Sequence, residues 1–329
     1  MCTAATYRTK NTYFGRNLDY EFSYGESITI VPRRFPLQFR EASLLDQHYA
    51  ILGIAFVTPD QNGQNYPLFY DGINEKGLGI AGLNFVGNAV YNDHVDGKDN
   101  IAQFELVPWL LAQCATVQEA RTLLDRINIT NTAFSTQLPP SQLHWMISDS
   151  QESIVVESVA DGLKIYDNPV GILTNNPPFP EQVFNLNNYM QLSAQDPVNN
   201  FAPELNLQPY SRGMGAIGLP GDTSSASRFV RAAFTKFHSM SSDDEMSSIS
   251  QFFHILSAVD QPRGSSNVGD DKFEVTIYSS GYNLNQGLCY YNSYDNHQIT
   301  VIDMHKTDLD ANAFINYPMI LTEQIQAQN

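Results

Sequence analysis

The chain has 329 residues, of which 42% are hydrophobic, and its 18 Lys and Arg against 35 Asp and Glu give a formal net charge of −17. This charge argues against binding to nucleic acid or to an anionic membrane surface, because both are themselves negatively charged. No stretch approaches the roughly 20 apolar residues that cross a bilayer. The first residues, MCTAATYRTKNTYFGRN, lack the apolar core of a secretory signal. We therefore expect a cytoplasmic protein.

The first half of the chain is predicted to form strands and turns, followed by two helices. Strands are predicted at 2–8, 12–17, 27–33, 49–57 and 78–85. The first two flank a turn-like Thr9-Lys10-Asn11 and so predict a hairpin, and TPDQNGQNYP at 58–67 is predicted to be a polar loop. Helices are predicted over 104–115, which is apolar on more than one face, and 116–127, which opens with the spacing of a capping box.

The second half of the chain is predicted to form strands, then two helices, then further strands. Strands are predicted at 143–149, 153–158, 162–167, 272–280, 288–295 and 298–305. Helices are predicted at 225–239 and 243–259, and the Pro- and Asn-rich residues 174–222 are predicted to be irregular. No repeat and no linker-like segment interrupts this order. We therefore predict one α+β domain over 1–329, with two mainly antiparallel sheets packed face to face between helices in four αββα layers.

Three cysteines, at positions 2, 114 and 289, are too few and too scattered for a disulfide framework or a zinc site. Cys114 and Cys289 lie in apolar segments and are expected to be inert buried thiols. Cys2 differs because methionine aminopeptidase removes Met1 when the next residue is small. The exposed cysteine would then carry a thiol, ordinarily of pKa about 8.5, and an α-amine of pKa about 7.7–8.0. One residue would thus supply both a nucleophile and a general base.

The predicted hairpin places two charged residues beside this thiol. If Thr9–Asn11 form the turn, paired residue numbers sum to about 20, so Cys2 lies opposite Leu18 and within a residue or two of Arg16 and Asp19. Arg16 would stabilise the thiolate and Asp19 would orient the α-amine. The alternative is an ordinary surface ion pair of little energetic value.

Several ordered motifs resemble one known family. They are an MCT start followed by FGRNLD, NEKGLGIAGLNF (74–85), LHWMISD (143–149), GILTNNPPF (171–179), GLPGDTSSASRFVRAAF (218–234) and SQFFHIL (250–256). Together they resemble, over essentially the whole chain, the choloylglycine hydrolases, which include bile salt hydrolases and penicillin V acylases. The resemblance implies a four-layer N-terminal nucleophile hydrolase sandwich that needs neither a cofactor nor a metal.

The resemblance also implies roles for individual residues. Cys2 would be the nucleophile, with Arg16 and Asp19 beside it. Asn175 would contribute its side-chain amide, and Asn84 its backbone N–H, to an oxyanion hole, and Arg228 would complete the site electrostatically. Two uncharged donors are what a tetrahedral oxyanion requires.

The substrate is expected to be a bile salt conjugated to glycine or taurine. Family members that prefer penicillin V typically carry tyrosine where this chain has Asn84. The positions that match the family's acyl pocket are Leu18, Phe22, Tyr24, Phe134, Leu138 and Leu143. Two alternatives remain open, namely an acylase of penicillin V or other N-acyl amides, and a catalytically silent steroid-binding protein. The resemblance further implies a homotetramer, for which 187–215 is the expected assembly contact. The loop at 58–67 is expected to lie at the mouth of the acyl pocket.

Overall fold

The structure is a computed structural model that describes all residues, 1–329. The strands are β1 Cys2–Arg8, β2 Thr12–Tyr20, β3 Ser27–Val31, β4 Ile51–Pro59, β5 Asn65–Asn74, β6 Gly79–Asn84, β7 Asp99–Ala102, β8 Ile127–Thr130, β9 Leu143–Ser148, β10 Ser153–Val159, β11 Gly162–Asp167, β12 Ile172–Leu173, β13 Asn267–Gly269, β14 Lys272–Phe273, β15 Val275–Asn283, β16 Leu288–Ser293, β17 Asn296–Asp303 and β18 Ile315–Pro318. The α-helices are α1 Leu106–Gln113, α2 Val117–Leu124, α3 Phe179–Asn185, α4 Ser225–His238 and α5 Glu245–Ser257. No helix is both long enough and apolar enough to span a bilayer.

Two large antiparallel sheets form the centre of the molecule. The six-stranded sheet has the order β12-β1-β2-β15-β16-β17, and the eight-stranded sheet has the order β11-β10-β9-β6-β5-β4-β3-β18. Helices α4 and α5 contact β1 of the first sheet, and α1 contacts β5 and β6 of the second. The predicted αββα sandwich is therefore confirmed.

Side-chain alternation along the strands produces the layers. In β10, Val155 lies in the core between the sheets, whereas Ile154 and Val156 lie in the core between the eight-stranded sheet and the helices outside it. A strand with apolar cores on both faces has an unbroken apolar sequence, since successive side chains point in opposite directions. Helix α1 is buried from Leu106 to Ala112, as its all-round apolar sequence predicted.

The capping signal of α2 is used in a slightly different way from the prediction. The Thr116 hydroxyl accepts a hydrogen bond from the Glu119 N–H at 3.1 Å. The Glu119 carboxylate accepts from the N–H of Ala115, at 2.7 Å, rather than from that of Thr116. The same two side chains therefore satisfy unpaired donors at the helix start, with one contact shifted by a residue.

The prediction for residues 58–67 was wrong in its extent. Strands β4 and β5 run to Pro59 and from Asn65, so only 60–64 form the turn, in which the Asp60 carboxylate accepts from the N–H groups of Asn62 and Gln64 at 2.8 and 2.9 Å. β5 was not predicted at all, because its polar residues interrupt the alternation, yet its pairing with β4 and β6 stabilises it. Within the predicted irregular segment 174–222, α3 was also missed, since prolines surround its start.

Candidate active site

The β1–β2 hairpin brings three predicted site residues onto one face of a sheet. Cys2 pairs with Leu18 and Ala4 pairs with Arg16, so the predicted register is confirmed. Side chains two residues apart on a strand, and those directly opposite on its neighbour, share a face. Cys2 and Leu18 belong to the core between the two sheets. Arg16 therefore also points from the six-stranded sheet towards the eight-stranded one.

A local break in the facing sheet makes room for Arg16. Ile54 pairs with Asp71 but Ala55 pairs with Phe69, so Tyr70 is the extra residue of a β-bulge. Pairing between β5 and β6 ends at Asp71–Ala81. Arg16 Nη1 lies in the resulting gap and donates to the Gly82 carbonyl oxygen at 2.5 Å and to that of Tyr70 at 3.4 Å. The guanidinium thus binds carbonyl oxygens of β5 and β6 at the point where these two strands stop pairing.

Asn175 joins Cys2 to the end of β6. Its Oδ1 accepts from the Cys2 N–H at 2.8 Å, and its Nδ2 donates to the Asn84 carbonyl oxygen at 2.7 Å. The Phe85 N–H donates to the carbonyl oxygen of Gln142, which directly precedes β9, and so points to the side of β6 that faces β9. In an antiparallel ladder the N–H and C=O of the preceding residue point the other way. The Asn84 N–H therefore points towards the same side as Asn175.

Arg228 of α4 is fully buried and holds the main chain around Cys2. Its Nη1 donates to the Cys2 carbonyl oxygen at 2.5 Å and to Thr3 Oγ1 at 2.6 Å, and its Nη2 donates to Asn175 Oδ1 at 2.7 Å. Burial lowers the pKa of Arg228, although Asp19, 4.0 Å away, opposes this shift. The contacts of Arg228 suit a residue that fixes the geometry of Cys2 and Asn175.

Asp19 is also fully buried, and one of its oxygens has no partner. Oδ1 accepts from Thr276 Oγ1 at 2.7 Å, whereas Oδ2 makes no hydrogen bond. Burial raises the pKa of this carboxyl group, and the Arg228 charge opposes the rise. A buried carboxylate oxygen without a donor is costly, so it is well placed to accept a new one.

Met1 continues β1 by one residue in this structure. Its amine donates to the Asp19 carbonyl oxygen at 2.8 Å and its own carbonyl oxygen accepts from the Asp19 N–H at 2.9 Å. The amine also contacts the Glu274 carboxylate. While Met1 is present, the Cys2 nitrogen belongs to a peptide bond and cannot act as a base.

A cavity of about 300 Å³ opens beside Cys2. It is lined by all six residues predicted for the acyl pocket, Leu18, Phe22, Tyr24, Phe134, Leu138 and Leu143, together with Cys2, Arg16, Asp19 and Asn84. Tyr24 anchors an aromatic cluster in its wall, with ring centroids 4.7 Å from Phe22 and 5.7 Å from Phe56. Residues 60–64 do not line the cavity, although Phe56 and Leu68, in the strands on either side of this turn, do. The cavity suits a bulky apolar group with its reactive end at the thiol.

A sequence profile for linear amide C–N hydrolases of the choloylglycine hydrolase family matches residues 2–317. The chain belongs to the choloylglycine hydrolase family. It is 54% identical to a bile salt hydrolase/transferase of Lactiplantibacillus plantarum and 39% identical to one of Clostridium perfringens, and each match covers 100% of both chains.

Solved structures of known proteins agree with this membership. A mutant of the conjugated bile acid hydrolase from Clostridium perfringens matches with a TM-score of 0.91 and 38% identity, over 100% of both chains. A penicillin V acylase from Agrobacterium tumefaciens matches with a TM-score of 0.75 over 96% of this chain and 90% of that one. At 21% identity the second match shows a shared fold alone.

Several residues that support the family's motifs were not predicted from the sequence. Ser225 Oγ accepts from the Asn175 N–H at 2.7 Å, and Gln182 Nε2 donates to the Asn175 carbonyl oxygen at 2.5 Å. Thr276 binds Asp19, as described above. These side chains come from α4, α3 and β15; Ser225 lies within the motif at 218–234, but nothing in the motif singles it out, and Gln182 and Thr276 lie outside the quoted motifs. The tertiary fold alone brings them together.

The other two cysteines lie away from this cavity. Both are buried and all three cysteines are unpaired. Burial raises the pKa of Cys114 to about 12 and also raises that of Cys289. The expectation that both are inert core thiols agrees with this environment.

Proposed function

We propose that the protein hydrolyses the amide bond of bile salts conjugated to glycine or taurine, with Cys2 as the nucleophile once Met1 has been removed. The observation that carries this proposal is the position of Cys2, at one end of a largely apolar cavity and beside two buried arginines. Membership in a family of linear amide hydrolases, and full-length similarity to two bile salt hydrolase/transferases, support the same substrate class.

Removal of Met1 would create the general base. Asn175 Oδ1 already accepts from the Cys2 N–H at 2.8 Å and would remain an acceptor for the new α-amine. We expect Asp19 to supply another, because its carbonyl oxygen would lose the Met1 amine and its Oδ2 has no partner. These acceptors would orient the amine so that its lone pair takes the proton of the Cys2 thiol. The sulfur then attacks the carbonyl carbon of the substrate amide.

The tetrahedral intermediate requires donors directed at its oxyanion. Asn175 Nδ2 carries two hydrogens, of which one is used by Asn84 O, so the other is free for the oxyanion. The N–H of Asn84 faces the same side and supplies the second donor. Arg228 donates a hydrogen bond to Asn175 Oδ1, and this bond keeps the Nδ2 donor of Asn175 in place.

Collapse of the intermediate completes acylation. The protonated α-amine gives its proton to the leaving nitrogen, the C–N bond breaks, and glycine or taurine departs while the acyl group stays on sulfur as a thioester. Water then attacks the thioester carbonyl and the α-amine accepts one of its protons. The C–S bond breaks, which releases the free bile acid and restores the thiol. Arg16, buried beside Cys2, stabilises the thiolate in both half-reactions.

The acyl pocket would hold the steroid. Leu18, Phe22, Tyr24, Phe134, Leu138 and Leu143 form its apolar wall. Aromatic faces and aliphatic side chains bury a flat hydrocarbon body without requiring polar partners.

We further propose that the protein works in the cytoplasm as a homotetramer. Three unpaired cysteines suit a reducing compartment. The segment 187–215 exposes large apolar side chains, among them Met190, Phe201 and Tyr210, each at least 80% accessible. Exposed apolar residues grouped on one segment suit an assembly contact, and the mass of the purified protein in solution tests the stoichiometry.

The decisive experiment pairs the intact mass of the purified protein with hydrolysis of glycocholate, taurocholate and penicillin V. Loss of the mass of one methionine together with preference for the two bile salts is expected. Preference for penicillin V would assign the protein to the acylases instead. Retention of Met1 with no hydrolysis of any of the three would leave a steroid-binding protein, and an active Cys2→Ala variant would refute the mechanism.

A further inference from the structure

A second polar cluster lies between the two sheets, centred on Asp71 of β5. This carboxylate is fully buried and binds three hydroxyl groups of β15. Oδ1 accepts from Tyr282 at 2.6 Å, and Oδ2 accepts from Ser280 at 3.0 Å and from Tyr278 at 3.1 Å. The three donors are two residues apart along the strand and therefore share one face. Asp71 thus ties the eight-stranded sheet to the six-stranded sheet.

Asp71 is also the carboxylate that faces Arg16. Its Oδ2 lies 4.0 Å from Arg16 Nε, and both side chains are at most 1% exposed. Arg16 is directly opposite Ser280 in the register of β2 and β15. Burial disfavours the charged forms of both groups: it raises the pKa of Asp71, which the Arg16 charge opposes. For Arg16, interactions with neighbours that include Asp71 outweigh burial and raise its pKa. A buried guanidinium without a counter-ion would be strongly destabilising.

The contacts of Arg16 leave one donor nitrogen unused. Nε donates to the Asn17 carbonyl oxygen at 3.3 Å, and Nη1 bonds Gly82 and Tyr70 in the gap beside β6. Nη2 is buried and has no partner. A buried donor is rarely left unpaired without a functional reason. Nη2 is therefore the nitrogen that remains for the Cys2 sulfur or for a reacting group bound to it.

We propose that Asp71 is a positioning residue for catalysis, which acts through Arg16. It balances the guanidinium charge. With the three hydroxyls, it also fixes β5 against β15 at the point where the pairing of β5 with β6 ends. The guanidinium is thereby held in the gap with Nη2 free for Cys2. This inference rests on the proposed catalytic use of Cys2 and Arg16.

The test begins with Asp71→Asn, which keeps the shape of the side chain and removes its charge. Since misplacement of a catalytic group by about 1 Å costs on the order of 100-fold, kcat for glycocholate is expected to fall roughly 10- to 100-fold. KM should stay within about 3-fold, because the steroid wall is untouched. Alkylation of Cys2 by iodoacetamide should slow as well. A kcat within 2-fold of the unaltered protein would overturn the proposal.

A double-substitution cycle separates positioning from a general loss of structure. In an Arg16→Leu chain there is no guanidinium to position, so adding Asp71→Asn should change the remaining kcat by less than 2-fold. An equal loss in both backgrounds would refute the action through Arg16. Tyr282→Phe keeps the charge but removes the shortest hydroxyl contact, and it should lower kcat by about 3- to 10-fold. If Asp71→Asn fails to fold, an unchanged kcat in Tyr282→Phe would refute the proposal.

Glu245 provides a matched control. It too is a carboxylate that binds tyrosine hydroxyls across elements, Tyr13 at 2.7 Å and Tyr290 at 2.9 Å, but it lies at the turn end of the hairpin. Glu245→Gln should lower thermal stability and leave kcat within 2-fold; a kcat loss equal to that of Asp71→Asn would refute a specific role. If the unaltered protein hydrolyses no conjugated bile salt, the proposed function fails, whereas the alkylation rates still test Asp71.

Discussion

Replacement of Asn175 by alanine tests the centre of the proposed mechanism. The variant removes the free Nδ2 hydrogen assigned to the oxyanion. Loss of one such donor costs on the order of 100- to 1,000-fold in kcat, about 2.7–4 kcal/mol. Because this contact strengthens only in the transition state, KM for glycocholate should change by less than about 3-fold. Steady-state assay of released glycine measures both constants.

The same substitution has a separate structural cost. Asn175 makes hydrogen bonds with Cys2 N–H, Arg228 Nη2 and Asn84 O, at 2.8, 2.7 and 2.7 Å. At about 1 kcal/mol for each net hydrogen bond, the free energy of unfolding should fall by about 3 kcal/mol. For a chain of this length that corresponds to a melting temperature lower by roughly 5 °C, so the variant should remain folded at the assay temperature.

The neighbouring asparagine gives the control for this experiment. Asn176 is exposed and its Nδ2 donates to the Val86 carbonyl oxygen at 2.8 Å, away from Cys2. Asn176→Ala should keep kcat within 2-fold. A folded Asn175→Ala protein with a kcat within 3-fold of the unaltered protein would refute the oxyanion assignment, whatever the control shows.

Two further predictions concern the thiols and the cavity wall. Because burial raises the pKa of Cys114 to about 12, only about one part in 10,000 of this thiol is thiolate at pH 8, so its alkylation should be slow. Brief iodoacetamide treatment at that pH should therefore modify Cys2 and leave Cys114 and Cys289 intact, and peptide mass mapping that found Cys114 modified first would contradict this. Tyr24→Ala opens the aromatic wall beside Phe56 and should raise KM for glycocholate about 10-fold while kcat changes little. A lower kcat at unchanged KM would show that Tyr24 acts on the reacting atoms instead.

Local sequence was enough to predict the elements whose signals are local. The turn at Thr9–Asn11 fixes the register of the hairpin, and the register alone places Cys2 opposite Leu18 on the face of Arg16. The long amphipathic or apolar segments became α1, α2, α4 and α5 because their patterns match the helical period. The family motifs extended the prediction to Asn84, Asn175 and Arg228. In the structure the Asn175 side chain binds the Asn84 carbonyl oxygen, the Cys2 N–H and the Arg228 guanidinium.

The tertiary structure determined what depends on contacts between distant strands. β5 has polar residues where an alternating strand would have apolar ones, and it forms because β4 and β6 pair with it. The bulge at Tyr70 opens the gap for Arg16, and the burial of Asp71 against three hydroxyls depends on β15, more than 200 residues along the chain. No local pattern encodes such a meeting, because the free energy of a buried charge depends on which groups the fold brings around it. The sequence by itself therefore predicted the nucleophile, whereas packing of the two sheets determined the electrostatic surroundings of Cys2.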